Sequence, residues 1–149
     1  MKMFLALTTG LAAMALSAGA ASAEEHRIEM LTRGSDGTAM VFEPAYLEVA
    51  PGDTVTFVAT DPTHNAQSIP GMLPEGAEGF TGRMNQDVSV TLTQEGVYGV
   101  KCLPHYGMGM VAVIKVGEGE PANLAEAAAV RHPGRARQVF QDLLARAGE

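Results

Sequence analysis

The most constraining feature of this chain is segment 100–110, which reads VKCLPHYGMGM and holds the single cysteine of the sequence. Cys102 and His105 are separated by two residues, and two thioethers, Met108 and Met110, follow in the same glycine-rich stretch. Short apolar runs flank the segment on both sides, which predicts a loop between two strands. The chain is therefore limited to folds in which neighbouring strands hold this loop.

The donor atoms of the loop are those that copper prefers. Soft sulfur and imidazole nitrogen suit copper, whereas calcium and magnesium take oxygen ligands. Two histidines, one cysteine and a weak axial methionine form the ligand set of electron-transfer copper sites. A second histidine must therefore come from elsewhere in the chain, and Met108 and Met110 are both candidates for the thioether.

Three further histidines could complete this set: His26, His64 and His132. His26 lies near the expected start of the mature chain, where termini fray, and His132 lies in a polar, basic stretch. We expect both to be ordinary surface residues. His64 follows the alternating run 54–58 closely, so the end of a strand would hold it in the fixed geometry that a ligand requires. His64 is therefore the candidate for the second imidazole.

Residues 1–23 have the pattern of a secretory signal peptide, with one lysine, an apolar stretch and the small-residue end Ala21-Ser22-Ala23. The apolar stretch is interrupted and short for a membrane span, so we expect no membrane anchor. Residues 24–149 are then one domain, expected to be monomeric and periplasmic. A formal net charge of −7 disfavours nucleic acid as a partner, because phosphate contacts need clustered basic residues.

Short alternating runs predict a β-sandwich over residues 24–116. The clearest strand is 87–92, and the others are 26–31, 40–42, 46–49, 54–58, 97–100 and 111–116. Segment 69–76 is rich in proline and glycine and is predicted to be irregular. Residues 121–147 differ in character, since 121–128 and 134–147 have the composition and one-sided apolar pattern of two helices packed on the sandwich.

With these residues laid out, the chain resembles the pseudoazurins, small periplasmic type 1 copper proteins with the cupredoxin fold, a Greek-key β-sandwich. The resemblance covers 24–149 and rests on MVFEPAY at 40–46, PGDTVTF at 51–57, His64-Asn65 and the loop 101–110. Plastocyanins share the Cys-x₂-His-x₄-Met spacing. The residues YGMGM at 106–110 and the two C-terminal helices are typical of pseudoazurins, whereas azurins have a longer gap from cysteine to histidine.

The resemblance implies one copper ion bound by His64, Cys102, His105 and the axial Met110. Met108 is then a surface or packing residue.

Three neighbouring residues also receive roles from the resemblance. Asn65 is expected to brace the two ligand loops and to donate its backbone N–H to the Cys102 sulfur. Pro104 lacks an N–H and so removes a potential second donor to that sulfur. Met40 matches a position that lies against a ligand imidazole in the family.

The function that the resemblance implies is one-electron transfer rather than enzyme catalysis. Three strong ligands and one weak ligand leave no open position for a substrate. Copper oxidases and nitrite reductases place a histidine directly beside the type 1 cysteine, where this chain has Lys101 and Leu103. Electrons are expected to enter and leave through His105.

The implied partners are copper nitrite reductase or nitrous oxide reductase, with a cytochrome as donor. A basic ring of Arg33, Arg83, Lys101 and Lys115 would steer the protein to an acidic partner. The alternative function is a periplasmic copper carrier without a redox role, which would use exposed, exchangeable ligands.

Overall fold

A computed structural model describes residues 22–149, and the predicted signal peptide lies outside this range apart from its last two residues. Within residues 22–149, eight strands are followed by two helices, α1 (Leu124–Ala129) and α2 (Ala136–Ala147). The strands are β1 (Glu25–Arg33), β2 (Ala39–Glu43), β3 (Tyr46–Val49), β4 (Asp53–Val58), β5 (Gln67–Ser68), β6 (Val88–Leu92), β7 (Gly96–Lys101) and β8 (Val111–Val116). A single 3₁₀ turn spans Tyr106–Met108.

The strands form two four-stranded sheets, in the orders β2-β1-β4-β6 and β3-β8-β7-β5. Pairing is mixed, since β1 runs parallel to β4 and β3 runs parallel to β8, while the other pairs are antiparallel. The fold is mainly β, a cupredoxin sandwich with two C-terminal helices, as the sequence predicts.

Two apolar clusters account for the layering. The first lies between the sheets, where alternate residues of β1, β4 and β8 pack around Phe42 and Phe57. The second lies between the β7–β8 face and the helices, around Met72 and Phe140. Strand β8 has an apolar layer on each face, so all of its residues are buried, as expected for a strand covered on both sides.

The predicted strands match the observed ones to within two residues at each end. The two-residue strand β5 was not predicted, because a segment this short has no readable periodicity; it pairs with the end of β7 at Lys101 and Val100. Helix α1 begins later than predicted, because the Asn123 side chain bonds to the backbone of β7. Its side-chain amide accepts from the Val97 N–H and donates to the Val97 carbonyl, both at 2.8 Å, and so ties the helices to the sheet.

The expectation that Lys115 contributes to a basic ring around the ligand loop is wrong. Lys115 lies near the end of β8, on the same face as Val111 and Val113, and it is only 6% exposed. Strand β8 begins at the loop and runs away from it. Lys115, its next-to-last residue, therefore lies at the far end of the sandwich. A lysine in an alternating run is covered here because helices pack on that face.

Candidate metal centre

The ligand loop connects two adjacent antiparallel strands. Lys101 of β7 pairs with Val111 of β8, and the Cys102 N–H donates to the Met110 carbonyl at 3.0 Å, which closes the loop at its base. Within the loop, the His105 carbonyl accepts from the N–H groups of Met108 and Met110, at 3.1 and 3.2 Å. This backbone network fixes Cys102 and His105 relative to each other.

His64 lies in the connection between β4 and β5 and is completely buried. The residue before it, Thr63, has a φ of 74°, which a β-branched residue rarely adopts. Asn85 holds this conformation from across the loop. Its side-chain oxygen accepts from the Thr63 N–H at 2.5 Å, and its own backbone N–H donates to the His64 carbonyl at 2.9 Å.

The structure brings three of the expected ligand residues together. One ligand atom from each of His64, Cys102 and His105 lies within 4.8 Å of the other two. The two Nδ1 atoms are 3.1 Å apart, and the Cys102 Sγ lies 3.8 Å from the Nδ1 of His64 and 3.6 Å from that of His105. Bonds of about 2.0 Å to nitrogen and about 2.3 Å to sulfur, the usual lengths for a tetrahedral metal, are compatible with these separations.

The two candidate thioethers differ in burial. Met110, the last residue of the loop, is 0% exposed, whereas Met108 is 48% exposed. Met40 is partly buried against the inter-sheet core and lines the same surface cleft as Met108 and Gly109. Of the two loop methionines, Met110 is therefore the one that lies inside the protein beside the cysteine and histidines.

Burial controls the protonation of the cluster. It raises the pKa of the Cys102 thiol, although backbone hydrogen bonds from Asn65 and His105 act in the opposite direction. Burial, followed by the charge of His105, lowers the pKa of His64 and keeps its imidazole neutral. A metal ion that binds the cysteine displaces the thiol proton, and a soft cation such as copper does this readily.

Asn65 links the two ligand segments through its side chain. Its Oδ1 accepts from the Leu103 N–H at 2.7 Å, and its Nδ2 donates to the Gly82 carbonyl at 3.1 Å. Asn65 is buried, so the bond to Gly82 is shielded from water, while the bond to Leu103 is partly buried. The segments that carry His64 and Cys102 are thereby fixed to each other across the sandwich.

Sequence reasoning missed two residues that position His64. Thr32, at the end of β1, places its hydroxyl 3.1 Å from the His64 Nε2, so the ring nitrogen that faces away from Cys102 is also engaged. Asn85 forms the clamp on Thr63 described above. Nothing in the local sequence marks either residue, because each reaches His64 from a distant segment.

The expectation that His132 is an ordinary surface residue is wrong. It is 8% exposed, packs against Phe140 with ring centroids 4.2 Å apart, and shares a hydrogen bond with the Tyr106 hydroxyl. The polar stretch around it predicted exposure. The ring is instead covered because helix α2 folds back over this segment.

His26 belongs to a second group of metal-ligating side chains, with Glu24 and Asp53. The His26 Nε2 lies 2.8 Å from Asp53 Oδ2, and the same carboxylate accepts the N–H groups of Glu24 and Ala50. Three protein donors already occupy this carboxylate, which favours a structural clamp over a ligand set.

The sequence and the fold are both similar to those of known copper proteins. Residues 28–117 match the copper-binding plastocyanin/azurin family. The chain is 43% identical to a pseudoazurin of Paracoccus pantotrophus, over 93% of this chain and 94% of the relative. The crystal structure of a pseudoazurin from Methylobacterium extorquens AM1 is 41% identical with a TM-score of 0.77, over 82% of this chain and 98% of that one. A pseudoazurin from Sinorhizobium is 46% identical with a TM-score of 0.79, over 83% and 95%.

Proposed function

This chain belongs to the pseudoazurins, within the plastocyanin/azurin family of copper-binding proteins, and on that premise we propose that it carries single electrons in the periplasm. It is a copper-binding electron carrier, and the ligands that we propose are His64, Cys102, His105 and Met110. The convergence of three ligand atoms within 4.8 Å in a buried cluster carries this proposal. When bound, copper supplies the Cu(I)/Cu(II) couple.

The residues of the chain support outer-sphere transfer. His64 and Cys102 are buried, so water has no access to their side of the cluster, and the hydrogen bonds of Asn65 and Thr32 hold them in one geometry. His105 is the partly exposed member of the cluster and gives electrons a route to the surface. A periplasmic copper carrier without redox work remains the less favoured candidate, because its ligands would be exposed and exchangeable.

The ligand assignment is tested by loading copper and following the visible absorption of the oxidised protein. The wild-type protein is expected to be intensely blue and to lose its colour on reduction. A Cys102→Ser variant that stays blue would contradict the assignment of the thiolate, and a wild-type protein that binds only Cu(I) without colour would favour the carrier function.

The surface around His105 suits brief docking. Leu103, Met108 and Met84 are the exposed large apolar residues of the described range, at 57%, 48% and 42%, and Leu103 and Met108 lie in the ligand loop. Met84 precedes Asn85, which bonds to the His64 carbonyl, so it lies near the same end. A small apolar patch favours the weak, rapidly released contacts of redox partners.

The two ends of the molecule carry different sets of charged groups, although Asp36 and Glu43 line the cleft beside Met108 at the loop end as well. Lys101 lies over the Tyr106 ring at 4.7 Å, and the Arg135 N–H donates to the Gly107 carbonyl, so basic residues border the loop. The opposite cleft is lined by acidic side chains, namely Glu24, Glu48, Asp53, Glu95 and Glu118. We propose that the loop end meets an acidic partner, a copper nitrite reductase or nitrous oxide reductase, and that a cytochrome supplies the electrons.

Salt dependence tests the partner. Electron transfer to an acidic copper nitrite reductase is expected to slow as salt rises, and Arg83→Glu is expected to lower the rate and flatten the dependence. Arg27→Glu is the matched control, because it makes the same charge change on an exposed residue of β1 towards the acidic end. A rate that rises with salt would contradict the partner assignment.

The location is tested separately. Expression of the full chain followed by cell fractionation is expected to place the protein in the periplasm, with Glu24 as the first residue of the processed form. Recovery of the unprocessed chain in the cytoplasm would overturn this part of the proposal.

A further inference from the structure

The segment between α1 and α2 runs along the ligand loop and contacts it at three points. The Tyr106 hydroxyl and the His132 Nδ1 are hydrogen-bonded at 2.5 Å. The Arg135 N–H donates to the Gly107 carbonyl at 2.9 Å. Gly134, with a φ of 52°, brings its backbone so close to the Gly107 carbonyl that a Cβ would collide with that oxygen. The C-terminal helices are therefore attached to the loop rather than only to the sheet.

His132 is an unusual residue for this position. Its ring packs on Phe140 and meets the Tyr106 ring edge-on, with centroids 4.2 and 5.9 Å apart. Its Nε2 is buried and has no hydrogen-bond partner among residues 22–149. A buried polar atom without a partner costs free energy, so such an atom needs an explanation.

Packing alone does not supply that explanation. A phenylalanine would fill the space against Phe140 and would remove the unpartnered Nε2. The hydrogen bond to Tyr106 is the polar contact that distinguishes histidine from phenylalanine at position 132. This bond therefore accounts for the imidazole.

Tyr106 transmits the contact to the ligand residues. It follows His105 directly and begins the 3₁₀ turn, and its carbonyl accepts from the Gly109 N–H at 3.0 Å. The His105 carbonyl in turn accepts from the Met110 N–H at 3.2 Å. The other side of the Tyr106 ring is constrained too, because Lys101 lies over its face. Fixing the Tyr106 ring thus fixes the turn that places His105 and Met110.

We propose that His132 is a positioning residue for the copper centre: through Tyr106 it holds the ligand loop in place and so sets the visible spectrum and the midpoint potential. The proposal rests on the copper site argued above. It makes the C-terminal helices part of the electron-transfer site, although the structure gives them no copper ligand.

The first test needs no copper. In the metal-free protein, hydrogen exchange of the Gly109 and Met110 amides is expected to be about two- to tenfold faster in His132→Phe and in Tyr106→Phe than in the wild type, the equivalent of one hydrogen bond. Exchange in β6 is expected to be unchanged. Tyr98→Phe is the matched control, because it deletes a hydroxyl that bonds to the Gln94 carbonyl at 3.0 Å, away from the loop.

The second test uses the copper-loaded protein and a double-mutant cycle. His132→Phe and Tyr106→Phe are each expected to shift the midpoint potential and the relative intensities of the visible bands in the same direction. The double variant is expected to shift them no further than either single variant. His132→Asn, which can present an amide near the Nδ1 position, is expected to restore part of the wild-type behaviour.

Gly134→Ala perturbs the same contact between the interhelical segment and the ligand loop, because its Cβ would push against the Gly107 carbonyl. It is expected to shift the spectrum while leaving Tyr106 and His132 intact. If His132→Phe and Tyr106→Phe leave loop exchange, spectrum and potential unchanged in a blue protein, His132 is a packing residue and the proposal is overturned. A colourless wild-type protein would instead overturn the copper site itself, so the two failures are distinguishable.

Discussion

His64, Cys102 and His105 lie at one end of strands β1 and β4, and Glu24, His26 and Asp53 lie at the other. Both groups bring three ligand atoms within 4.8 Å of one another. In the first group two imidazole Nδ1 atoms and a thiol face each other. In the second group a carboxylate accepts three N–H donors from the protein itself.

The difference shows that proximity of ligand atoms does not make a metal site. Soft donor atoms that face one another are stabilised by a bound soft cation. A hard carboxylate that already accepts three N–H donors gains less from a bound cation, because the cation competes with those bonds. This contrast supports the proposal that the first group binds copper, whereas the second stabilises the start of the sandwich, where Asp53 fixes the turn at Ala50 and the beginning of β1.

The largest expected effect separates the two groups by colour. Cys102→Ser is expected to abolish the blue colour and to reduce copper affinity by more than the roughly 10–100-fold loss typical of residues outside the ligand set. His26→Gln is expected to leave both unchanged. Visible spectra and copper titrations of the two variants measure this, and a loss of colour in His26→Gln would remove the distinction between the groups.

The next effect concerns the buried amides at the two ends. Asn65→Ala and Asn123→Ala each remove a side chain that bridges two backbone groups, and each is expected to destabilise the copper-free protein by about 1–3 kcal/mol. Denaturant unfolding measures this loss. Only Asn65→Ala is expected to alter the visible spectrum as well, so a spectral change in Asn123→Ala would show that general stability controls the copper site.

The Asp53 clamp is expected to contribute a pH-dependent stability. The backbone hydrogen bond from Glu24, followed by the His26 side chain, holds the pKa of Asp53 below its ordinary value of 3.8. The stabilisation is present above that ordinary value and is lost as the pH falls through the lower folded-state pKa.

Thermal unfolding of the copper-free protein tests this from about pH 6 down to about pH 2. Asp53→Asn is expected to lower the melting temperature at the upper end of the range and to lose less stability than the wild type on acidification. Parallel pH profiles of the two proteins would show that the carboxylate does not act through its charge.

The smallest expected effect is at Thr32. Thr32→Val removes the hydroxyl near His64 Nε2 without changing the shape of the side chain, so copper affinity is expected to fall by up to about tenfold, the lower limit for a residue that orients a ligand. Thr56→Val is the matched control, because its hydroxyl bonds to Ser89 on the exposed face of the same sheet. Equal copper affinities in the two variants would remove Thr32 from the site.

Most of the fold could be predicted because alternation of apolar residues reports burial directly. The runs 46–49 and 111–116 coincide with β3 and β8, and the C-terminal helices follow from one-sided apolar spacing. The short β5 could not be predicted, because it exists only through its pairing with β7.

The copper-loop residues could also be predicted, since Cys102, His105 and Met110 lie in one continuous segment whose spacing encodes a loop. His64 could be predicted as a ligand only from its position just after a predicted strand. In contrast, Thr32, Asn85 and the buried His132 were missed or misjudged, because their roles come from contacts with segments distant in sequence.

The sequence by itself determined the donor chemistry, the strand pattern and the identity of the loop, because these depend on residue type and local spacing. Only the tertiary structure decided which polar side chains are buried and what each one contacts. The charged side chain of Lys115 and the polar stretch around His132 both suggest exposure, yet both residues are buried in the folded protein. Burial of a side chain depends on which segment folds over it, and the sequence around the side chain does not reveal that segment.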